Sequence, residues 1–403
     1  MKTRDARWGV AVVVIAVLGT GIGFGMGVIA DQQWPDVIPY IAHHSSGRVD
    51  TTELQQAIRL IQADYVDGKL DTTKLSHGTV QGLISSLNDP FSAYYDPTAY
   101  KKLQQSYTGH YSGIGIYLSF TTSYPVITGT VPGSPAAAAG LQAGDQIVKV
   151  GDKDTKGITA DQASTLIQGP DGSEVTLTIQ RGTDTFSVTI TRAQIQVPSV
   201  RSAVIADHIL YVRIYQFTTT TTDEFHKALT AGLPGAKGIV LDLREDPGGF
   251  ISEADHVISE FLTSGETFEL RDRNGNVERH TVGGEHLATT VPLVVLVNAN
   301  SASSAEIVSG SLQVHHRAKL VGTVTFGKGS VQQDFQLSDG ADIHLTIRRW
   351  YLPNGQTIDK KGLQPDVTVP LASAGDEFEV QQPDKGYAKD AQLNAALGVL
   401  AAG

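Results

Sequence analysis

The chain has 403 residues, with 31 Lys and Arg against 42 Asp and Glu, giving a formal net charge of −11. This acidic balance argues against a nucleic-acid partner, because phosphate backbones reward basic patches. Cysteine is absent, which excludes disulfides and thiolate metal sites, and the length allows two or three domains with a sizeable core.

The N-terminus carries Lys2, Arg4 and Arg7, then an uncharged run from Trp8 to Ala30, then Asp31 and Asp36. The run is long enough to span a bilayer and too long for a usual signal-peptide core. By the positive-inside rule the N-terminus stays in the cytoplasm and the rest is exported. The reading is an uncleaved single-pass anchor over residues 1–30. Val28-Ile29-Ala30 leaves a small-residue cleavage site as the alternative.

Gln32 to Gly47 reads as a tether, and Asp50 to Tyr107 as helices. Asp50 and Glu53 have the spacing of a capping-box variant. Leu54, Ile58, Ile61 and Tyr65 repeat at helical spacing, and Leu75, Val80, Leu83 and Leu87 make a second stripe. The stretch Asp89 to Pro97 reads as an aromatic turn whose rings pack between helices. From about Gly109 short strands follow. Gly113-Ile114-Gly115-Ile116 is a glycine loop entering a strand. Ser134 to Leu141 reads as a short helix stopped by glycine. Thr159 and Gln162 form a capping box for a helix that ends near Gln168. A hairpin turns at Gly182-Thr183-Asp184.

After about Ala193 the pattern becomes α/β. Ile239 to Arg244 and Pro292 to Val297 are buried-type strands. A helix runs from Ser303 to about Val314, a strand from Leu320 to Val324, and Asn354-Gly355 marks a tight turn after Leu345 to Tyr351.

The chemistry concentrates in Asn300 to Ile307 and Phe326 to Gln332. The first segment crowds serines at a helix entrance, where free N–H groups and the helix dipole favour a developing oxyanion. Ser301, Ser303 and Ser304 compete for the nucleophile's place. The second segment sets Lys328 between Gly327 and Gly329, small enough to let it be packed closely. A lysine deprotonates serine only when neutral, so burial must lower a pKa of about 10.4. Gln332 can hold the amine without adding charge. Gly248-Gly249 supplies a turn whose backbone can approach a reacting group.

Several ordered motifs resemble the carboxyl-terminal processing proteases, also called tail-specific proteases, of peptidase family S41. They are Asp89-Pro90-Phe91-Ser92, Ser112 to Ile116, Ser134-Pro135-Ala136 with Ala139-Gly140-Leu141, and Leu241 to Arg244 with Pro247-Gly248-Gly249. Ser301-Ala302-Ser303 with Glu306-Ile307, Phe326 to Gly329, Leu352 to Gly355, and Gly362 with Pro365-Asp366 complete the set. The resemblance covers about residues 50–400.

It implies an α/β multidomain chain with a membrane helix, a helical segment, a PDZ domain and a crotonase-like α/β serine protease core. The implied divisions are anchor 1–30, tether and helical segment 31–108, PDZ domain 109–193, protease core 194–372, and a C-terminal tail with a helix over 373–403. It implies Ser303 as nucleophile, Lys328 as general base, Gln332 in support, and oxyanion N–H groups from Gly249 and Ser304. It also implies peptide binding at Gly113, Ile114, Gly115 and Ile116, by backbone N–H groups that converge on a terminal carboxylate while the next strand pairs with the peptide.

The partners implied are protein or peptide substrates with free, apolar C-termini, and a second copy in a homodimer. The expected location is a bacterial cell membrane with the catalytic part outside the cytoplasm. No cofactor and no metal are expected. The chain departs from the family at three places. Ser304-Ala305 exchange the usual order, Glu245-Asp246 replace two asparagines and would oppose negative charge near an oxyanion hole unless they point to water, and Gln168 replaces an arginine. Competing readings are an anchored PDZ scaffold with an inactive core, and a Ser/His/Asp hydrolase using His315 or His316. No Gly-x-Ser-x-Gly surrounds Ser303, and no His-Glu-x-x-His occurs.

Overall fold

The computed structural model describes residues 49–402 except 68, 121, 374, 375, 379 and 381–385. The expected anchor and tether lie outside the described residues. Among the described residues no helix is long and apolar enough to cross a membrane. The chain divides into two units, Met1–Leu75 and Ser76–Gly403.

In the first unit, α1 spans Thr52–Asp64. Asp50 does not occupy the cap. Thr51 does, and Asp50 Oδ1 instead accepts the Thr52 N–H at 2.9 Å. The stripe Leu54, Ile58, Ile61 and Tyr65 is exposed. Helix α2 spans Thr72–Ser85. Its second stripe is only half as expected: Val80 packs beside Ile84, Tyr94 and Ala341, whereas Leu83 and Leu87 are exposed.

β1 (Ala93–Tyr95) and α3 (Pro97–Thr108) follow, with Asp96 capping α3 through the Thr98 and Ala99 N–H groups. β2 (His110–Gly113) leads to β3 (Ile116–Ser119), β4 (Val126–Thr130), α4 (Pro135–Ala138), β5 (Gln146–Val150) and β6 (Lys153–Asp154). Next come α5 (Ala160–Ile167), β7 (Glu174–Arg181), β8 (Asp184–Thr191) and β9 (Ala193–Gln196). The Thr159/Gln162 capping box and the β7–β8 hairpin form as read. The sheet runs β3-β4-β5-β7-β8, with β6 on β5, and β3 at one edge. Its own core joins Ile114, Ile127, Ile147, Leu177 and Ile179 to Ala163 and Ile167 of α5.

The third region has β10 (Val200–Ile205), β11 (Ile209–Ile214), α6 (Thr221–Gly232), β12 (Gly238–Asp242), α7 (Ile251–Ser259), β13 (Glu266–Asp272), β14 (Val277–Thr281) and β15 (Leu293–Val297). Then follow α8 (Ser304–Val314), β16 (Lys319–Gly322), β17 (Ser330–Gln336), β18 (Asp342–Tyr351), β19 (Val367–Thr368) and α9 (Ala391–Ala402). One sheet runs β10-β11-β12-β15-β16-β19, parallel from β11 onward. β11, β12 and β15 are buried at every position because both sheet faces are covered. Leu210, Leu241 and Val295 face α6, α7 and α8, whereas Tyr211, Val240 and Leu296 face α9. β16 stops at Gly322 rather than reaching Val324 as read, because Gly322 has φ 138° and a side chain there would strike Val297 O. A second sheet, β1-β18-β13-β14 with β17 on β18, flanks the site.

Adjacent parallel strands β12, β15 and β16 send their C-terminal ends into the loops carrying Gly248, Ser303 and Lys328. A parallel sheet delivers ligands to that edge.

A buried ion network closes the sheet against α9. The Arg244 guanidinium meets Asp242 at 2.6 Å and Asp390 at 2.9 Å, and all three side chains are fully buried. Asp390 also accepts the Leu393 and Phe378 N–H groups, both at 2.9 Å. Asp390→Ala leaves Arg244 half-partnered in a dry interior, so urea unfolding is expected to show a loss of about 3 kcal/mol.

Candidate active site

The three serines that compete in sequence separate in the fold. Ser301 is fully buried; its hydroxyl donates to Leu243 O at 2.7 Å and accepts the Asn298 N–H at 2.9 Å. The Ser304 hydroxyl donates to Gly249 O at 2.9 Å. Both serve the backbone. Ser303 instead lines a cavity of about 850 Å³ together with Lys328, Gln332, Gly248 and Gly249. Its backbone has φ 54° and ψ −115°, a sparsely populated conformation for a residue with a side chain. Such strain is of order 1–3 kcal/mol and persists only where the surroundings enforce it.

Glu306 enforces it. Its carboxylate is fully buried and accepts four donors: the Ser303 N–H at 3.0 Å, the Lys328 N–H at 2.9 Å, the Gly327 N–H at 2.7 Å and the Thr325 hydroxyl at 2.6 Å. One side chain thus ties the serine turn to the lysine loop. Burial raises the Glu306 pKa, and the four donors limit the rise. In sequence Glu306 stands only within a motif, with no role assigned, although its place three positions after Ser303 is capping-box spacing.

The glycines flanking Lys328 are required by space. A Cβ on Gly327 would lie 2.8 Å from Gly362 N, and one on Gly329 would lie 2.7 Å from Asp359 Cβ. Trp350 Nε1–H donates to Lys328 O at 2.8 Å and fixes the loop from the other side. Burial lowers the Lys328 pKa, while the Asp89 and Glu306 charges pull it back up. Its Nζ lies 5.2 Å from the centre of the Phe91 ring. The Asp89 to Pro97 turn, read as packing aromatics alone, therefore supplies a charge and a ring to this lysine. Burial opposes ionisation of Asp89, but hydrogen bonds from Thr346, Ser92 and Phe91 hold its pKa below the usual range.

Gln332 lies on β17. Its amide nitrogen donates to Ser330 Oγ at 2.8 Å and Thr346 Oγ1 at 3.0 Å, which leaves the carbonyl oxygen as the atom able to accept from an amine. Among the described residues no hydrogen bond joins Ser303 to Lys328. Gly248 (φ 95°) and Gly249 (φ 147°) form the close turn: a Cβ on Gly248 would lie 2.7 Å from Ser303 Cβ, and one on Gly249 would lie 2.0 Å from Phe217 O.

His315 sits at the far end of α8, where its Nε2 contacts Glu266 O at 2.7 Å, so it does not join Ser303. The histidine that does line the cavity is His344, paired with Asp334 at 2.5 Å. Neither had a local motif to reveal it.

At the other end of the chain's candidate residues, Gly113 closes β2, and Ile114 is buried in the core of the β3–β8 sheet. Gly115 has φ 80°, and a Cβ there would lie 2.3 Å from Ser134 Cβ. Ile116 opens the edge strand β3. Gln168 ends α5 with its Cγ beside Gly113.

Comparison with known proteins matches these regions in order. Residues 21–99 match the activating protease CtpB N-terminal domain, 126–181 a PDZ domain, and 208–369 peptidase family S41. The chain is 35% identical over 330 residues to the carboxy-terminal processing protease CtpA of Bacillus subtilis, covering 81% of this chain and 70% of that one. It is 32% identical to CtpB of the same organism, over 94% and 78% of the two chains. The chain belongs to the carboxy-terminal processing proteases. A solved Bacteroides fragilis protein assigned to the S41 proteases shares the fold, with TM-score 0.53 at 19% identity over 89% of this chain and 99% of that one. The protease is of the serine type, and its PDZ domain and family imply peptide or protein substrates.

Beside the glycine turn this protease carries Glu245-Asp246, whose charges would oppose an oxyanion there unless they point to water. Glu245 does, and accepts from Asn298 and Asn300 Nδ2 at 2.7 and 2.8 Å. Asp246 does not. It is fully buried, accepts the Gly248 N–H at 2.8 Å through Oδ1, and accepts the Ala302 N–H at 2.9 Å through its backbone oxygen. Burial raises its pKa well above the usual range; the Gly248 N–H and Arg213 oppose the rise and Asp242 adds to it. Burial thus favours the uncharged acid beside the Gly248-Gly249 turn.

Two outcomes are expected. The unfolded chain ionises Asp246 near pH 4 and the folded chain does not, so this residue's contribution falls as pH rises above about 4. Melting temperatures of the Asp246→Asn protein are expected to match wild type near pH 3.5 and to exceed it increasingly toward neutrality. Glu306→Gln turns an NH2 group toward backbone donors, so chemical denaturation is expected to show a loss of about 2 kcal/mol.

Proposed function

We propose that this protease is an exported endopeptidase that binds apolar C-terminal tails through its PDZ domain and cleaves by a serine–lysine mechanism. The observation that carries the reading is the shared cavity of Ser303 and Lys328, with the lysine pushed toward its neutral form by burial. The neutral amine takes the Ser303 proton as Oγ attacks the substrate carbonyl. The oxyanion meets the Gly249 and Ser304 N–H groups, the second at the entrance of α8, where the helix dipole favours negative charge. The lysine ammonium then protonates the leaving amine. Water, deprotonated by the same lysine, releases the acyl group from Ser303. Gln332 orients the amine through its carbonyl oxygen.

In the same reading, N–H groups of the Gly113 to Ile116 loop receive the substrate's terminal carboxylate, and the free edge of β3 pairs with its backbone. The N-terminal run anchors the protein in a cell membrane with the catalytic part outside. The exposed stripe of α1 suits a homodimer contact. The second reading, an anchored PDZ scaffold with an inactive core, draws on the position of Lys328 Nζ over Phe91, which favours the charged amine.

Ser303→Ala and Lys328→Ala are each expected to abolish cleavage of an apolar-tailed protein while leaving circular dichroism unchanged. Full activity in purified Lys328→Ala protein would sink the mechanism. Because the base works only when neutral, wild-type kcat/KM is expected to rise with pH to a plateau governed by a group titrating below 10.5. A fluorophosphonate probe that labels Ser303 in the presence of a tail peptide separates the protease from the inactive scaffold.

A further inference from the structure

The cavity beside Ser303 continues along β17, and its far end is acidic. Strand register pairs Gln332 with Thr346, Asp334 with His344 and Gln336 with Asp342. Residues two apart share a sheet face, so these pairs form successive rows about 7 Å apart. On the same face β1 sets Tyr95 against Asp342. The acidic rows therefore begin one step beyond the glutamine proposed to support the lysine.

Among the described residues lining the cavity, Lys328, Asp334 and His344 are the lysine, carboxylate and histidine side chains, and Tyr100 and Tyr107 add two phenols. The Asp334 side chain keeps 30% of its surface exposed, and its contact with His344 Nδ1 occupies one of its acceptor sites. Behind the pair lies Asp342, fully buried, with neither carboxylate oxygen hydrogen-bonded among the described residues. Burial, and then the charge of Asp334, push Asp342 up to about 6. Burial and then Asp334 likewise raise the phenols of Tyr95, Tyr100 and Tyr107. Asp334 thus faces the cavity with a single imidazole against it and a second carboxyl buried behind, which makes this end acidic in a cleft whose walls concentrate the field.

We propose that this end of the cavity is a subsite for a basic side chain, lysine or arginine, of the polypeptide being cleaved, with Asp334 as the residue that selects it. The proposal rests on the protease reading and adds a preference within the substrate class. An extended peptide advances about 3.3 Å per residue, so the subsite serves a position about two residues beyond the one lying at Gln332.

The test uses fluorogenic peptides with one fixed apolar C-terminus and a single lysine, norleucine or glutamate moved through the positions around the cleaved bond. At one position wild-type kcat/KM is expected to favour lysine over norleucine about tenfold, with the preference shrinking in high salt. Asp334→Asn is expected to bring that ratio close to one, and Asp334→Lys to turn it toward glutamate. Equal rates for all three residues at every position overturn the proposal. If wild-type protein cleaves none of the peptides, the protease reading fails instead. The subsite is then decided by fluorescence anisotropy of C-terminally amidated peptides on Ser303→Ala protein. A lysine peptide binding about tenfold tighter than its norleucine counterpart supports it, and equal affinities overturn it.

Discussion

A single buried carboxylate holds the site together. Glu306 stands at the first turn of α8 and accepts N–H groups from the serine turn and from both Gly327 and Lys328, as well as the Thr325 hydroxyl. Backbone donors in a dry interior need acceptors, and one carboxylate offers four acceptor sites. The consequence is geometric. The strained Ser303 backbone and the lysine loop are both fixed relative to α8, so the two side chains open into one cavity without any direct bond between them.

Burial also sets the charges. Lys328 is driven down and Glu306 and Asp246 are driven up, each toward its uncharged form. A charged amine could not act as a base, and a charged Asp246 would oppose an oxyanion at the neighbouring glycine turn. The same desolvation that makes these groups expensive to bury is what moves each toward its uncharged form. The balance is local. Asp89 keeps its charge through hydrogen bonds, and the Phe91 ring offers Lys328 a resting contact.

The fold brings the parts together through the topology of one parallel sheet. β12, β15 and β16 are neighbours, and their C-terminal ends release the glycine turn, the serine turn and the lysine loop side by side. The second sheet then adds Gln332 and Asp334 along β17, so the cavity runs from a half-buried lysine at one end to a carboxylate at the other.

Much was legible in the residues. Buried-type strands, the Thr159 capping box and the β7–β8 hairpin follow from local spacing, because caps, turns and two-residue alternation are local physics, while the family was legible through the resemblance of several ordered motifs. The glycines flanking Lys328 were also readable as close-packing positions. What needed the tertiary structure is pairwise and distant in sequence. Only the fold shows that Ser301 and Ser304 spend their hydroxyls on backbone carbonyls while Ser303 meets the cavity, and that Asp246 turns inward rather than to water. The aromatic turn at Phe91 reaches a lysine more than two hundred positions away, and Asp334 meets His344 across two strands. Burial and register decide those contacts, and neither is a property of any short stretch of chain.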